Sequence, residues 1–525
     1  MLLNQIIHYG LVAAEKFNRR QGTAQVAQKR VLRILLTKAC NTAYGKAYDF
    51  AGILKAKDLV LAFQERVPLA DYDALYSPWW ERGYEGKKDI TWPGRPDYFA
   101  MSSGTSGAAT KYIPVTKAML KSLSKSAFRM FSTFPEYDLG EDIYTRSWLS
   151  IGGTTELETK GKRKFGYLSG INAREQPVWA RSFYKPGREI AGIADFDERM
   201  EAMARKAPEW DIVVIVGIPH WVQLTLERIV EMHDLKDISD IWPNVKLFVS
   251  GGVDYEPYVS SFTRLIGHPI KYLNTYLASE GMFAFQRSPD APGMQLLLDN
   301  GIYYEFLPFN ENNFDEEGNM LTACKPLTLD QVEEGIDYAM LISTCSGAWR
   351  YLVGDTVRFV DAKEGVIRVS GRTKHYVNLA TEHLTVDNMN AGIMAVEETL
   401  NIRLPEFTIV PVKDDAYIAH EWYIGTKDEV SAEMITPLLD AALGVVNDDY
   451  KSERKTALQI KVTVVPLQQF YDWQREGGQA NGQSKIPRVM KGEGKERWLA
   501  QMGQAERPSI CNRRAIQLGA LVWKS

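Results

Sequence analysis

The run Ile212-Val213-Val214-Ile215-Val216, followed by Gly217-Ile218-Pro219, decides the fold class of this chain. Five consecutive branched apolar residues predict a strand that is buried on both faces, as strands of parallel sheets are. The glycine and proline after it predict a turn into a helix. The same order recurs at 245–249, 250–252 and 258–266, and another strand is expected at 270–274. Repeated strand–turn–helix units predict an α/β domain whose ligand lies beyond the carboxyl ends of the strands.

Length and composition are those of a large globular protein with more than one domain. The chain has 525 residues, which exceeds what one hydrophobic core supports, and 45% of them are hydrophobic and 24% charged. A net charge of −4 gives no electrostatic reason to expect a nucleic acid or an anionic membrane as partner. We therefore expect neither.

Targeting signals and cysteine spacing point to one compartment. Residues 1–12 are apolar but lack the basic start of a secretory signal peptide, and no window of eighteen residues is free of polar interruption. The cysteines, Cys40, Cys324, Cys345 and Cys511, have neither metal-ligand nor disulfide-framework spacing. These features predict a cytoplasmic protein without a membrane segment.

A loop of small and hydroxyl-bearing residues follows the strand-like run 98–101. It reads Ser102-Ser103-Gly104-Thr105-Ser106-Gly107-Ala108-Ala109-Thr110-Lys111. Its glycines let the backbone approach a ligand, and its hydroxyls, backbone N–H groups and lysine suit a phosphate. A helical pattern that begins near residue 115 predicts a helix directly downstream, whose dipole adds to the anion site. The alternative is an ordinary polar surface turn, since the spacing is not that of a Walker loop.

Two later segments place acidic residues near the expected sheet edge. Tyr276-Leu277-Ala278-Ser279-Glu280-Gly281 follows a predicted strand, and Glu280 suits Mg²⁺ beside a phosphate. Asp355 follows Gly354 at a predicted strand end, where it is suited to accept both hydroxyls of a ribose. Taken singly, Glu280 as a first-turn helix residue and Asp355 as a turn former are ordinary.

Three segments together resemble the three nucleotide motifs of the GH3 family of acyl-acid amido synthetases. They are 102–111, 276–280 and Arg350-Tyr351-Leu352-Val353-Gly354-Asp355-Thr356-Val357. That family is a branch of the adenylate-forming, firefly-luciferase-like superfamily. The resemblance covers nearly the whole chain. Residues 349–353 and the region around 371–374 depart from the plant form, so we interpret the chain as a bacterial-type member, which argues against plant-hormone substrates.

The resemblance implies a role for each matching residue. The phosphates of ATP and of the acyl-adenylate would be held by Ser102, Ser103, Gly104, Thr105 and Lys111. The adenine base and the part of the nucleotide next to it would be contacted by Gly251, Gly252, Val253, Tyr276, Ala278 and Ser279. Glu280 would position Mg²⁺, Asp355 would hold the ribose, and the hinge to the second domain would include Arg372 and Lys374. Lys485, in Ser484-Lys485-Ile486-Pro487-Arg488, would reach the phosphates, so the expected catalytic residues are Lys485, Glu280 and Thr105.

The resemblance also implies the domain organisation. A large N-terminal α/β adenylation domain, residues 1–372, would have mostly parallel sheets and helices, and residues 373–525 would form a smaller, mobile α/β lid. Within the lid, apolar patterns predict helices at 386–400 and 435–446 and strands at 407–412, 422–424 and 460–465. Residues 476–483 have no apolar anchor, so we expect a flexible loop next to Lys485.

The implied activity is ATP-dependent adenylation of a carboxylic acid, followed by acyl transfer to an amino acid or other amine. The sequence leaves two alternatives open: an acyl- or aryl-CoA ligase of the same superfamily, and a nucleotide-binding regulator without turnover. The side chains of Phe128, Met130, Phe131 and Trp221 are candidates for an acyl pocket or for the core. His220 is expected to be a packed histidine rather than a general base.

Overall fold

The computed structural model describes residues 23–102, 110–176, 181, 183–252, 254–315, 318–374, 384–413, 418–454, 458–477 and 484–505. The predicted α/β class is confirmed, because helices cover both a large mixed sheet and smaller sheets. No helix within these ranges is long and apolar enough to span a membrane.

The strands are β1 Tyr98–Ser102, β2 Lys111–Val115, β3 Ser147–Ile151, β4 Glu158–Lys160, β5 Arg163–Gly166, β6 Tyr184–Lys185, β7 Ile212–Gly217, β8 Leu247–Gly251, β9 Lys271–Ala278, β10 Gly281–Phe285, β11 Met294–Leu296, β12 Ile302–Pro308, β13 Asp337–Thr344, β14 Tyr351–Asp361, β15 Val366–Arg372, β16 Glu406–Lys413, β17 Ile418–Thr426 and β18 Leu458–Pro466. The α-helices are α1 Ala24–Ala39, α2 Ala43–Ala47, α3 Phe50–Lys55, α4 Leu59–Arg66, α5 Tyr72–Leu75, α6 Glu81–Tyr84, α7 Lys117–Ser132, α8 Leu168–Arg174, α9 Arg188–Ala191, α10 Phe196–Lys206, α11 Pro219–Met232, α12 Val259–Ile266, α13 Val386–Leu400, α14 Ala432–Val446, α15 Asp448–Glu453, α16 Gln468–Glu476 and α17 Gly492–Ala505.

The large sheet is mixed rather than mostly parallel. Its described strands run in the order β12-β13-β14-β15-β11-β10-β9-β8-β7-β3-β6. The half from β6 to β9 is parallel, as the branched apolar strands and their crossover helices predicted. The half from β9 to β12 is antiparallel. Short turns such as 279–280 connect neighbouring strands there, and only a long crossover connection can make a parallel pair.

The two strands on either side of the hydroxyl-rich loop are antiparallel neighbours. Residues 103–109 lie outside the described residues, but β1 and β2 on either side pair antiparallel, with Ser102 opposite Lys111. The helix predicted from near residue 115 is confirmed as α7, which begins at Lys117, but β2 lies between it and the loop. Ile113 and Val115 of β2 are buried, and Thr116 caps α7 by accepting from the Met119 N–H. The five residues of β2 separate the start of α7 from the loop, which removes the sequence argument for a helix dipole there.

The C-terminal residues form a unit with its own sheet and core. The described strands β16, β17 and β18 pair in that order, α14 packs on β18, and α13 packs on α14. Leu384, Trp422, Leu439 and Val489 belong to a core made of residues from this unit alone. The predicted helices and strands of the lid are confirmed, with α13 spanning the predicted 386–400.

Candidate functional site

The crevice lies where β8 and β9 end and the C-terminal unit packs against the large sheet. Gly252 follows β8 with φ +72°, a conformation that favours glycine. Its N–H donates to the Thr275 carbonyl at 3.2 Å, which fixes the turn beside β9. A Cβ on Gly252 would lie 2.8 Å from the Nζ atom of Lys485. A side chain at residue 252 would therefore force the end of the Lys485 side chain to shift.

Lys485 enters this crevice from the C-terminal unit. Its Nζ donates a hydrogen bond to the Gly252 carbonyl. Burial lowers the pKa of Lys485 to about 8, the nearby Arg372 guanidinium adds to this shift, and Asp355 opposes it. Two cations therefore face one low-dielectric space, and an anion bound between them would stabilise both.

The sequence predicted Asp355 at a strand end. Asp355 instead lies inside β14, in an irregular part of the strand. The register of β13 against β14 shifts between Ala339 opposite Thr356 and Leu341 opposite Leu352, which leaves extra residues on β14. Gly354 in this bulge has φ +93°. Bulges re-aim side chains, and here the carboxylate accepts from Arg372 Nε at 3.0 Å and from the Tyr276 hydroxyl at 2.9 Å.

Tyr276 lies inside β9, which runs four residues beyond the predicted strand. Its ring is 3% exposed and packs edge-to-face on Phe283, with 4.9 Å between the ring centroids. Its hydroxyl holds Asp355. The predicted stacking of Tyr276 on adenine stays a prediction.

Glu280 lies in the two-residue turn between β9 and β10 and is 6% exposed. Burial raises the pKa of Glu280, and Asp355 adds to this effect, whereas Lys111 and the facing Tyr351 hydroxyl lower it. A bound cation would favour the ionised form of such a carboxylate. Mg²⁺ commonly takes one or two carboxylates and completes its shell with water and phosphate oxygens, so this single buried acid fits it. No group of three or more potential ligand side chains occurs among the described residues.

The other predicted site residues fall into three groups. The half-buried ones beside the crevice are Ser102, Gly251, Ala278 and Ser279. Lys374 is exposed just after β15. Outside the described residues lie Ser103, Gly104, Thr105 and Val253. The roles predicted for all of them stay predictions.

Arg350 of the third motif has a structural role that sequence reasoning missed. Its guanidinium donates to both carboxylate oxygens of Glu305, at 2.9 and 3.0 Å, and to the carbonyls of Gln64 and Val67. Arg350 and Glu305 are 4% and 1% exposed. This buried pair joins the end of α4 to the large sheet and does not contact the crevice residues named above.

The surface on which the C-terminal unit packs was also missed. The Trp221 indole N–H donates to the Ser484 carbonyl at 3.0 Å, so Trp221 lies under the Lys485 segment. Phe128, another pocket candidate, is 51% exposed, and Met130 is in the main core. The Tyr258 hydroxyl reaches Glu406 of β16 at 3.1 Å. No local sequence pattern indicates that Tyr258 makes this contact. The only signal for Glu406 is that a charged residue stands at the start of an apolar strand.

His220 is a packed histidine, as predicted. It is 3% exposed and contacts two aromatic rings. One is Trp221 of the large domain, and the other is Tyr471 of the C-terminal unit. Among the described residues its Nε2 has no hydrogen-bond partner. Burial lowers the pKa of His220 to about 3, and Arg488 and Lys485 add to this shift.

Sequence models of one family match most of the chain. The GH3 family N-terminal domain matches residues 13–207, the GH3 family central domain 295–370, and the GH3 family C-terminal domain 387–494. The chain belongs to the GH3 family. This GH3 chain is 23% identical to the indole-3-acetic acid-amido synthetase GH3.4 of Arabidopsis thaliana, over 88% of this chain and 89% of that relative.

Two solved structures show the same fold. GH3.15 acyl acid amido synthetase superposes with a TM-score of 0.74 at 17% identity, over 93% of this chain and 96% of that one. A 2-hydroxyisobutyryl-CoA ligase in the postadenylation state gives a TM-score of 0.57 at 13% identity, over 92% of each chain. The predicted family and the adenylate-forming fold are confirmed. The assignment to a bacterial type stays a prediction.

Proposed function

We propose that this GH3 protein is an acyl acid amido synthetase. It would join a carboxylic acid to ATP to give acyl-AMP and pyrophosphate, and then transfer the acyl group to an amino acid or other amine with release of AMP. The observation that carries the proposal is the convergence of Lys485, Asp355 and Glu280, from three separate parts of the chain, on one crevice. The amido synthetase names of its relatives support it.

The residues around the crevice suit the adenylation step. Attack of a carboxylate on the α-phosphorus needs charge neutralisation and alignment, and little covalent help. Lys111 and Lys485 would bind the phosphates, together with the hydroxyl loop that begins at Ser102. Asp355 would accept the ribose hydroxyls, because a carboxylate has lone pairs beyond the two contacts it already makes. Glu280 would hold Mg²⁺, which supplies positive charge at the phosphates.

We further propose that the hinge lies at Arg372 and Thr373, so that residues 1–372 form the adenylation domain and 373–525 the lid. The separate cores on either side of this point support the division. The described cysteines, Cys40, Cys324 and Cys345, are free thiols, which supports a cytoplasmic enzyme.

The proposal is tested by pyrophosphate exchange. The purified protein with Mg·ATP is screened against a broad panel of carboxylic acids, and we expect at least one acid to drive exchange of labelled pyrophosphate into ATP. Release of AMP is then measured with amino acids, other amines and CoA. Release that depends on amino acids or amines supports the proposal. Release that depends on CoA alone would instead make the protein an acyl-CoA ligase, and ATP binding without exchange for any acid would make it a regulator.

A further inference from the structure

The segment that carries Lys485 is an added edge of the C-terminal sheet. The Ile409 N–H donates to the Arg488 carbonyl at 2.9 Å, and the Met490 N–H donates to the Ile409 carbonyl at 2.8 Å. The Thr408 hydroxyl donates to the Pro487 carbonyl at 2.7 Å. These bonds hold the segment to β16. The position of Lys485 relative to the crevice therefore follows the position of β16.

The start of β16 is joined to the large domain through a buried carboxylate. Glu406 accepts from the Tyr258 hydroxyl at 3.1 Å and from Arg488 Nη1 at 2.8 Å. The Arg488 guanidinium also lies 4.2 Å from the centre of the Phe407 ring. Tyr258 and Glu406 are each 2% exposed. A hydrogen bond to a buried charged group contributes more than one at the surface, because water cannot replace it while the interface is closed.

Elsewhere the interface is less tightly closed. A cleft of about 530 Å³ separates α11 from the ends of β17 and β18, with Leu224, Glu227 and Tyr471 among its lining residues. The Lys427–Glu227 pair at this cleft is partly exposed, as is the Arg475–Asp197 pair. Exposed pairs contribute little to binding. The orientation of the C-terminal unit therefore depends mainly on its buried contacts.

We propose that Tyr258 and Glu406 are positioning residues that hold the C-terminal unit in the orientation in which Lys485 reaches Gly252. The connection runs from Tyr258 of the large domain through Glu406 and Arg488 to Lys485, three residues earlier in the same segment. When the C-terminal unit turns away, Glu406 keeps Arg488 and exchanges the Tyr258 hydroxyl for water. The consequence for catalysis rests on the proposed function of Lys485, whereas the consequence for orientation does not.

The test uses Tyr258→Phe, which removes one hydroxyl and keeps the ring. We expect acyl-AMP formation, measured as carboxylate-dependent pyrophosphate exchange, to fall roughly tenfold, as expected for losing one hydrogen bond to a charged acceptor. Amide formation from supplied acyl-AMP should be unchanged. The matched control is Tyr272→Phe, because Tyr272 donates to the Val259 carbonyl at 3.3 Å within the large domain. It should leave both half-reactions unchanged. An equal loss in both half-reactions with a lowered melting temperature would show a merely structural role and overturn the proposal.

A second measurement does not depend on activity. Hydrogen exchange is followed in the full-length protein for peptides that cover 219–222 and 484–490. We expect faster exchange in Tyr258→Phe than in the wild type and in Tyr272→Phe. If no acid supports pyrophosphate exchange in the wild type while this difference is found, the proposed function fails and the positioning role stands. If Tyr258→Phe and Tyr272→Phe exchange alike, the positioning role is overturned.

Discussion

The ammonium group of Lys485 donates a hydrogen bond to the carbonyl of Gly252, across the boundary between the C-terminal unit and the carboxyl end of β8. A backbone carbonyl is a weak partner for a buried cation, and Arg372 nearby adds positive charge that its ion pair with Asp355 partly offsets. This arrangement suits a bound anion. We propose that the anion is a phosphate group of ATP.

Replacing Gly252 by Ala should impair adenylation through the position of Lys485. Residue 252 has φ +72°, which costs a residue with a side chain about 1–2 kcal/mol, and the new Cβ would lie 2.8 Å from Lys485 Nζ. We expect pyrophosphate exchange to fall at least tenfold. The control is Gly444→Ala, where a Cβ meets Lys451 at an ordinary 3.8 Å. Equal exchange rates in the two variants would contradict the proposed placement of Lys485.

Glu280→Gln should raise the Mg²⁺ concentration needed for activity. The amide keeps the size of the side chain but loses the charge that would hold the cation. We expect the Mg²⁺ concentration for half-maximal pyrophosphate exchange to rise several-fold, with Glu364→Gln as an exposed control. An unchanged Mg²⁺ dependence would remove Glu280 from the proposed metal site.

The stability of the protein should fall in acid because His220 is buried in its neutral form. Its pKa is about 3 in the folded protein and 6.5 ordinarily, so the unfolded chain binds the proton more readily. The stability from this group is complete above pH 6.5 and is lost as the pH falls toward 3, by about 2 kcal/mol at pH 5. Thermal unfolding at pH 7 and pH 5 should show a smaller loss in His220→Asn than in the wild type. An equal loss in His220→Asn and in the wild type would show that His220 does not account for the acid sensitivity.

Arg350→Ala should destabilise the fold without a selective effect on ATP use. Removing one partner of a buried ion pair leaves Glu305 uncompensated and costs about 3–5 kcal/mol. Urea unfolding should show this loss, whereas Lys87→Ala, at the exposed pair with Glu85, should change stability by less than about 1 kcal/mol. A fully stable Arg350→Ala variant with a raised KM for ATP would show that Arg350 acts on the nucleotide instead.

Local patterns predicted the regular elements well. The apolar periodicity of α13 is bounded by Thr385 as N-cap and by Asn401 in a left-handed C-cap, so the sequence marks both ends. The branched run of β7 likewise predicted a buried parallel strand. The repeated strand–turn–helix order after it placed Gly252 and Glu280 at one edge of the sheet. Such features depend on residues close together in the chain.

Features that depend on distant residues were not predictable. Asp355 is aimed by a bulge that exists only in the pairing of β13 with β14. Arg350 contacts Glu305, which is more than forty residues away in the chain. Tyr258 contacts Glu406, which is more than one hundred residues away. The antiparallel pair of β1 and β2 was missed because β2 is short and directly precedes the pattern of α7.

We propose that Lys485 serves the adenylation step from the C-terminal unit. The two half-reactions are compared in Lys485→Ala, with Lys461→Ala, an exposed lysine on β18, as control. We predict that acyl-AMP formation falls by about a hundredfold or more, as on removal of a donor to developing charge, while amide formation from supplied acyl-AMP survives. An equal loss of both half-reactions in a folded Lys485→Ala variant, or no loss in either, would contradict the claim.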